Sequence, residues 1–144
     1  MIIIGYPGTG KTFASEFFKE AIDFDPRDFT DIDFGAYCKF AELLSRQGYI
    51  VMVTSHKEVR DILSNSDERV FVCYPSLESK EFIINDLKKR YMANKKEYNY
   101  KAYDRVLNHF EEDIEELANS GFDKIELPIG TYLFEILKVK IRGN

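Results

Sequence analysis

Tryptophan is absent from this 144-residue chain, cysteine occurs only twice, and no stretch is both long and apolar. Two cysteines, Cys38 and Cys73, are too few for the disulfide framework that holds small secreted domains together. Each falls on what reads as an apolar face, so both are expected as buried free thiols. The longest apolar runs, such as Tyr49-Ile50-Val51-Met52-Val53, stop far short of the ~20 residues that cross a bilayer. No membrane association is expected. The first apolar strand starts at Met1 itself, which leaves no room for a targeting segment, and a cytoplasmic protein is the expectation. Positive charge is not in excess either: 20 Lys and Arg against 25 Asp and Glu give −5 at pH 7. That balance disfavours a nucleic-acid partner except through a local basic patch. Repeats, low-complexity segments and linkers are also missing, which leaves a single domain over residues 1–144.

What is present is ordinary globular material, 44% hydrophobic and 31% charged, with 12 Phe and 9 Tyr to furnish an aromatic core and pocket. A domain of this length buries about 68–70% of the surface its unfolded chain exposes. Short apolar runs alternate with longer amphipathic segments, the pattern of a parallel sheet covered by helices on both faces. Strands are predicted at Ile2–Gly5, Ile22–Phe24, Tyr49–Val53, Val70–Tyr74 and Lys124–Leu127. Helices are predicted from Lys11 to about Ala21, from about Thr30 to Gly48, from a Ser55–Glu58 capping box to about Ser64, and from Pro75-Ser76 through Leu87. Tyr91–Lys101 reads as a mobile, polar and basic segment. A long helix through Tyr103, Phe110 and Leu117 follows, and Thr131–Lys138 is a last helix or short extension. The expected class is α/β, three layers around a parallel sheet of about five strands.

The most specific signal is Gly5-Tyr6-Pro7-Gly8-Thr9-Gly10-Lys11-Thr12, which fits the phosphate-loop pattern G-x-x-x-x-G-K-[ST] between an apolar strand and a helix. Glycines let the backbone lie against an anion with no Cβ in the way. Successive amides from Gly8, Thr9, Gly10, Lys11, Thr12 and Phe13 form a nest for phosphate. Lys11 reaches the β- and γ-phosphates and the Thr12 hydroxyl ligates Mg²⁺. The loop therefore predicts a nucleoside triphosphate with Mg²⁺, in a fold of the P-loop nucleoside triphosphate hydrolase or kinase type. No Asn-Lys-x-Asp run is present to read guanine, and the strand Tyr49–Val53 runs into Thr54-Ser55-His56 without an acid. Acids near the loop are Asp23 and Asp25 on an extended segment, and one of them, with Asp25 favoured, is expected to face the nucleotide. They are otherwise solvated turn residues ahead of Pro26. The run Glu111-Glu112-Asp113-Ile114-Glu115-Glu116 reads as a solvated helix face rather than a metal site. Between Lys80 and Lys101 seven basic residues meet three acidic ones, a local excess of positive charge.

The order phosphate loop, Asp23-Phe24-Asp25, Ser55-His56-Lys57-Glu58-Val59-Arg60 and Leu87-Lys88-Lys89-Arg90 resembles the small P-loop kinases. That group spans adenylate-kinase-like, gluconate- and shikimate-kinase-like and polynucleotide-kinase domains, and the likeness is strongest to short phage-type nucleotide-kinase-like proteins. The resemblance covers about Ile2 to Leu133 and implies Mg-dependent phosphoryl transfer from ATP to a small acceptor, first a (deoxy)nucleoside monophosphate. Non-nucleotide small molecules, a polynucleotide 5′-hydroxyl, or a regulatory module with little turnover are the alternatives. It implies that Asp25 or Asp23 orders the metal waters or takes the acceptor's proton, and that Arg60 grips the acceptor, with Arg27 as a weaker candidate. It further implies that Arg90, with Lys88 and Lys89, closes from a short lid over about 88–101. No Cys or His cluster is present there for a zinc-bearing lid.

Overall fold

The computed structural model describes residues 1–26 and 33–142. Five parallel strands form one sheet in the order β2-β3-β1-β4-β5: β1 Ile2–Gly5, β2 Ala21–Asp23, β3 Ile50–Thr54, β4 Val70–Pro75 and β5 Asp123–Leu127. Ile2 to Gly5 pair with Val51 to Thr54 on one side and with Val70 to Cys73 on the other. The middle strand is thus covered on both edges and both faces, which is why it reads as an unbroken β-branched run.

Alternation along these strands sorts the core into two halves. Ile2, Ile4, Val51, Val53, Val70 and Val72 face one way, onto α2 (Phe34–Arg46), α3 (Lys57–Leu63), α4 (Lys80–Ala93) and α5 (Glu97–Ala118). Ile3, Met52, Phe71 and Cys73 face the other way, onto α1 (Lys11–Phe17) and α6 (Leu133–Arg142). The expected α/β class with one five-stranded parallel sheet and helices on both sides is what the chain forms. Among the described residues no helix is long and apolar enough to cross a membrane.

Several boundaries move, each for a tertiary reason. Helix α1 stops at Phe17 rather than near Ala21, because Phe18 turns extended (φ −112°, ψ 121°) and buries its ring in the α1/α6 half of the core. Ala21 is then free to pair with Ile50. Asp33 caps α2, its carboxylate accepting from Gly35 N at 2.8 Å and Ala36 N at 3.4 Å; Thr30, where that helix was expected to begin, lies outside the described residues. The Ser55–Glu58 capping box does not form: His56 is the N-cap of α3 and no side chain caps it. Residues 91–101 are not an irregular segment. Helix α4 runs to Ala93 and α5 starts at Glu97, with the corner between them tied by Asn99 Nδ2 donating to Asn94 O at 2.8 Å.

Cys38 and Cys73 are both buried, in opposite halves of the core. Burial, helped by Glu42, pushes the Cys38 thiol up to about 11. Burial pushes Cys73 up to about 12 against the opposing pull of Lys11. Thiolate is the reactive form, so neither cysteine is expected to react with an aromatic disulfide reagent at pH 8 until denaturant is added. Rapid labelling of either thiol in the native protein would contradict this placement.

Candidate functional site

The loop between β1 and α1 opens at the carboxyl edge of the sheet, where open parallel sheets bind ligands. Gly8 and Gly10 take left-handed backbone angles, φ 86° and 89°. A Cβ on Gly8 would lie 2.8 Å from Ile83 Cγ2, and one on Gly10 would lie 3.3 Å from Tyr132 Cβ. The loop is braced from outside: Tyr6 N donates to Cys73 O at 3.0 Å, and Leu133 N donates to Thr9 O at 2.9 Å. Thr9 is turned inward, with its hydroxyl and its amide both donating to Tyr6 O, at 2.7 and 3.3 Å. Of the expected nest, the Thr9 amide is therefore engaged within the loop. The amides of Gly8, Gly10, Lys11, Thr12 and Phe13 donate to no acceptor among the described residues. The Phe13 ring is exposed and packs edge-on against Phe134, so only its amide belongs to the nest.

Lys11 stretches back beneath the loop and donates from Nζ to Gly5 O at 2.7 Å. Burial holds its ammonium below the usual lysine range, with Asp23 the largest opposing charge. Thr12 Oγ1 donates to Asp23 Oδ2 at 2.8 Å. Asp23 ends β2, and just beyond it Asp25 N closes onto Asp23 O at 3.1 Å. Both Asp23 and Asp25 line the cleft, where only one was expected to face it; residues two apart on an extended chain share a face. Tyr37 of α2 holds this corner: its hydroxyl donates to Phe24 O and accepts from Thr54 N at 3.1 Å. Next to it, Thr54 Oγ1 lies 2.5 Å from His56 Nδ1. Burial lowers the His56 pKa, with Lys11 and Arg105 acting in the same direction against Glu58, so the ring is neutral at pH 7. Thr12 and Asp23 supply the paired oxygens a metal would use; among the described residues no group of three or more His, Cys, Asp or Glu gathers.

The cleft that these groups line has a volume of about 730 Å³. Arg60 and Arg90 reach it, as expected, while Lys88 and Lys89 do not line it. Arg60 is mostly covered: Nε donates to Ser55 O and Nη2 to Glu116 Oε1, both at 3.1 Å. Arg90, in the last turn of α4, is exposed and makes no ion pair among the described residues. Arg27 lies outside the described residues.

Helix α5 supplies a wall that sequence reading did not foresee. Asp113 is 8% exposed, accepts from the Tyr6 hydroxyl at 2.9 Å and from Arg105 through both oxygens. Glu116 holds Arg60, and Glu111 pairs with Lys80 at 2.8 Å. The acidic run is therefore not a uniformly solvated face. A signal was present: Val106, Phe110, Asp113 and Leu117 fall on one helical stripe, so position 113 was inward-facing by period although acidic by type. No family model matches the chain. A search of curated proteins finds no match either.

Proposed function

We propose that this protein is a P-loop kinase that transfers the γ-phosphoryl group of ATP, with Mg²⁺, to a nucleoside monophosphate. The observation that carries the reading is one cleft at the sheet's carboxyl edge holding the Gly5–Thr12 loop, the Thr12–Asp23 pair, Arg60 and Arg90. Unengaged amides from Gly8 to Phe13 fit the phosphate tail. Mg²⁺ takes oxygen ligands and keeps several waters, so Thr12 and Asp23, with Asp25 reached through water, suit it without a larger acidic cluster. When bound, the metal offsets charge on the β- and γ-phosphates.

The chain's own side chains divide the remaining work. Lys11 is a desolvated cation at the loop, positioned to stabilise charge on the transferring group. Arg90 adds a second cation that pairs with no carboxylate among the described residues. Arg60 retains Nη1 for the acceptor's phosphate, since Nε and Nη2 are engaged. The bond from Pγ to the β,γ-bridging oxygen breaks as the bond from Pγ to an acceptor oxygen forms. A phosphate acceptor is already ionised, so the site needs no general base, and neutral His56 fits that requirement. Tyr98 and Leu117 line the wall and limit the water that would otherwise hydrolyse ATP. A nucleotide-gated module with little turnover is the second reading, favoured by β3 ending without an acid.

The test is a screen of ribo- and deoxyribonucleoside monophosphates with Mg-ATP, read by product mass. Phosphorylated product equal to ADP formed is expected for one or a few acceptors. Arg60→Ala is expected to raise the acceptor KM by about 10- to 100-fold, the worth of a charge-assisted hydrogen bond, with the KM for ATP unchanged. Tight Mg-ATP binding without product from any acceptor would sink the kinase reading and favour the module.

A further inference from the structure

We propose that Arg105 is a second contact for the acceptor's phosphate, that Asp113 is the residue positioning it, and that Tyr6 ties this pair to the nucleotide loop. The inference rests on the kinase reading above and specifies the acceptor class within it. Arg105 and Asp113 lie eight residues apart on α5, and the guanidinium extends along the helix to reach the carboxylate, Nε to Oδ2 at 2.8 Å and Nη2 to Oδ1. Oδ2 also accepts the Tyr6 hydroxyl at 2.9 Å. Tyr6 is 2% exposed and sits inside the loop, between Gly5 and Pro7. One buried carboxylate thus fixes both a loop residue and a cleft arginine.

An exposed ion pair contributes little to stability, and a buried carboxylate costs desolvation. The arrangement instead fixes the direction of the guanidinium. Arg105 lines the cleft and keeps Nη1 without a partner among the described residues. Glu116, one helical turn beyond Asp113, treats Arg60 the same way. Two carboxylates on one face of α5 therefore present two arginines, each with a spare N–H edge. A phosphate monoester pairs with both edges, whereas an acceptor offering only a neutral hydroxyl leaves them unmatched. Occupying the loop fixes Tyr6, and through Asp113 it fixes Arg105, so acceptor affinity rises when nucleotide is bound.

Calorimetry tests this with nucleoside monophosphates titrated into wild type, Arg105→Gln, Asp113→Asn, Tyr6→Phe and the Tyr6→Phe/Asp113→Asn double variant. Each is measured with and without a non-hydrolysable Mg-ATP analogue. Arg105→Gln and Asp113→Asn are expected to weaken monophosphate binding about tenfold and to leave analogue binding unchanged. Tyr6→Phe is expected to remove the gain in monophosphate affinity that the analogue confers, and the double variant to bind no more weakly than Asp113→Asn. Arg105 is half-exposed, so its variant keeps the test alive if Asp113→Asn does not fold. Lower Tm with unchanged monophosphate affinity would reduce these residues to a structural role and overturn the inference. So would a wild type that binds the analogue but no monophosphate, with the nucleotide reading left standing. A wild type that binds no analogue overturns both.

Discussion

Lys11→Ala is expected to lower phosphoryl transfer by about 100- to 1,000-fold, the cost of removing one preorganised donor from a developing charge, while the fold survives. The second half of that expectation follows from its environment. Burial holds the Lys11 ammonium below the ordinary lysine value of 10.5, so the folded state disfavours the charged form. The charge therefore opposes folding at pH 7, which offsets the loss of the Nζ hydrogen bond to Gly5 O, and Tm is expected to change far less than transfer. The sign with pH is definite. Between the depressed folded value and 10.5 the unfolded chain binds more protons than the folded one, so wild-type stability gains as pH rises through that window. Lys11→Ala loses that gain. Thermal melts from pH 7 to 10.5, run beside transfer assays, check both parts. A Tm loss that tracks the loss of transfer, or a fall in transfer of less than tenfold, would contradict the role assigned to Lys11.

Gly8→Ala is expected to be the most damaging small substitution. The left-handed backbone costs an L-residue about 1–2 kcal/mol. The new Cβ would stand 2.8 Å from Ile83 Cγ2, an overpacking term of about 1–3 kcal/mol. Together these lower Tm by roughly 6–20 °C in a domain of this size. Gly48→Ala is the control, because Gly48 has φ 98° and nothing within 4 Å of its added Cβ, so it meets the backbone term alone. Transfer by Gly8→Ala should fall further than its stability, since relieving the clash with Ile83 displaces the amides that face the cleft. Equal Tm losses at Gly8 and Gly48 would show that Ile83 yields without cost.

The parts of the site that the sequence revealed are those built from neighbours along the chain. The loop, Lys11 and Thr12 are contiguous and follow a run of isoleucines, so pattern and chemistry can be read together. Asp23 and Asp25 were found, but only one was expected to face the nucleotide, although residues two apart on an extended chain share a face and both line the cleft. The i-to-i+2 closure at Asp25 N is a turn whose cause, Tyr37 anchoring Phe24 and Thr54, lies on another helix. Arg60 was found, but not its partner Glu116, 56 residues away. Ser55 looked like a cap, yet its carbonyl is held by Arg60 and the helix begins one residue later.

Sequence alone determined the strand–loop–helix unit at the amino terminus, the five strands with their parallel character, and the residue types available for phosphate chemistry. Each depends on local period, β-branching or glycine spacing, which act over a few residues. Only the tertiary structure decided which charges face the cleft and what holds them there. The hydroxyl of Tyr6 meets Asp113 across 107 residues. That contact exists because the Tyr6 ring meets Phe110 of α5 edge-on in the sheet's larger core, and nothing within either segment encodes it.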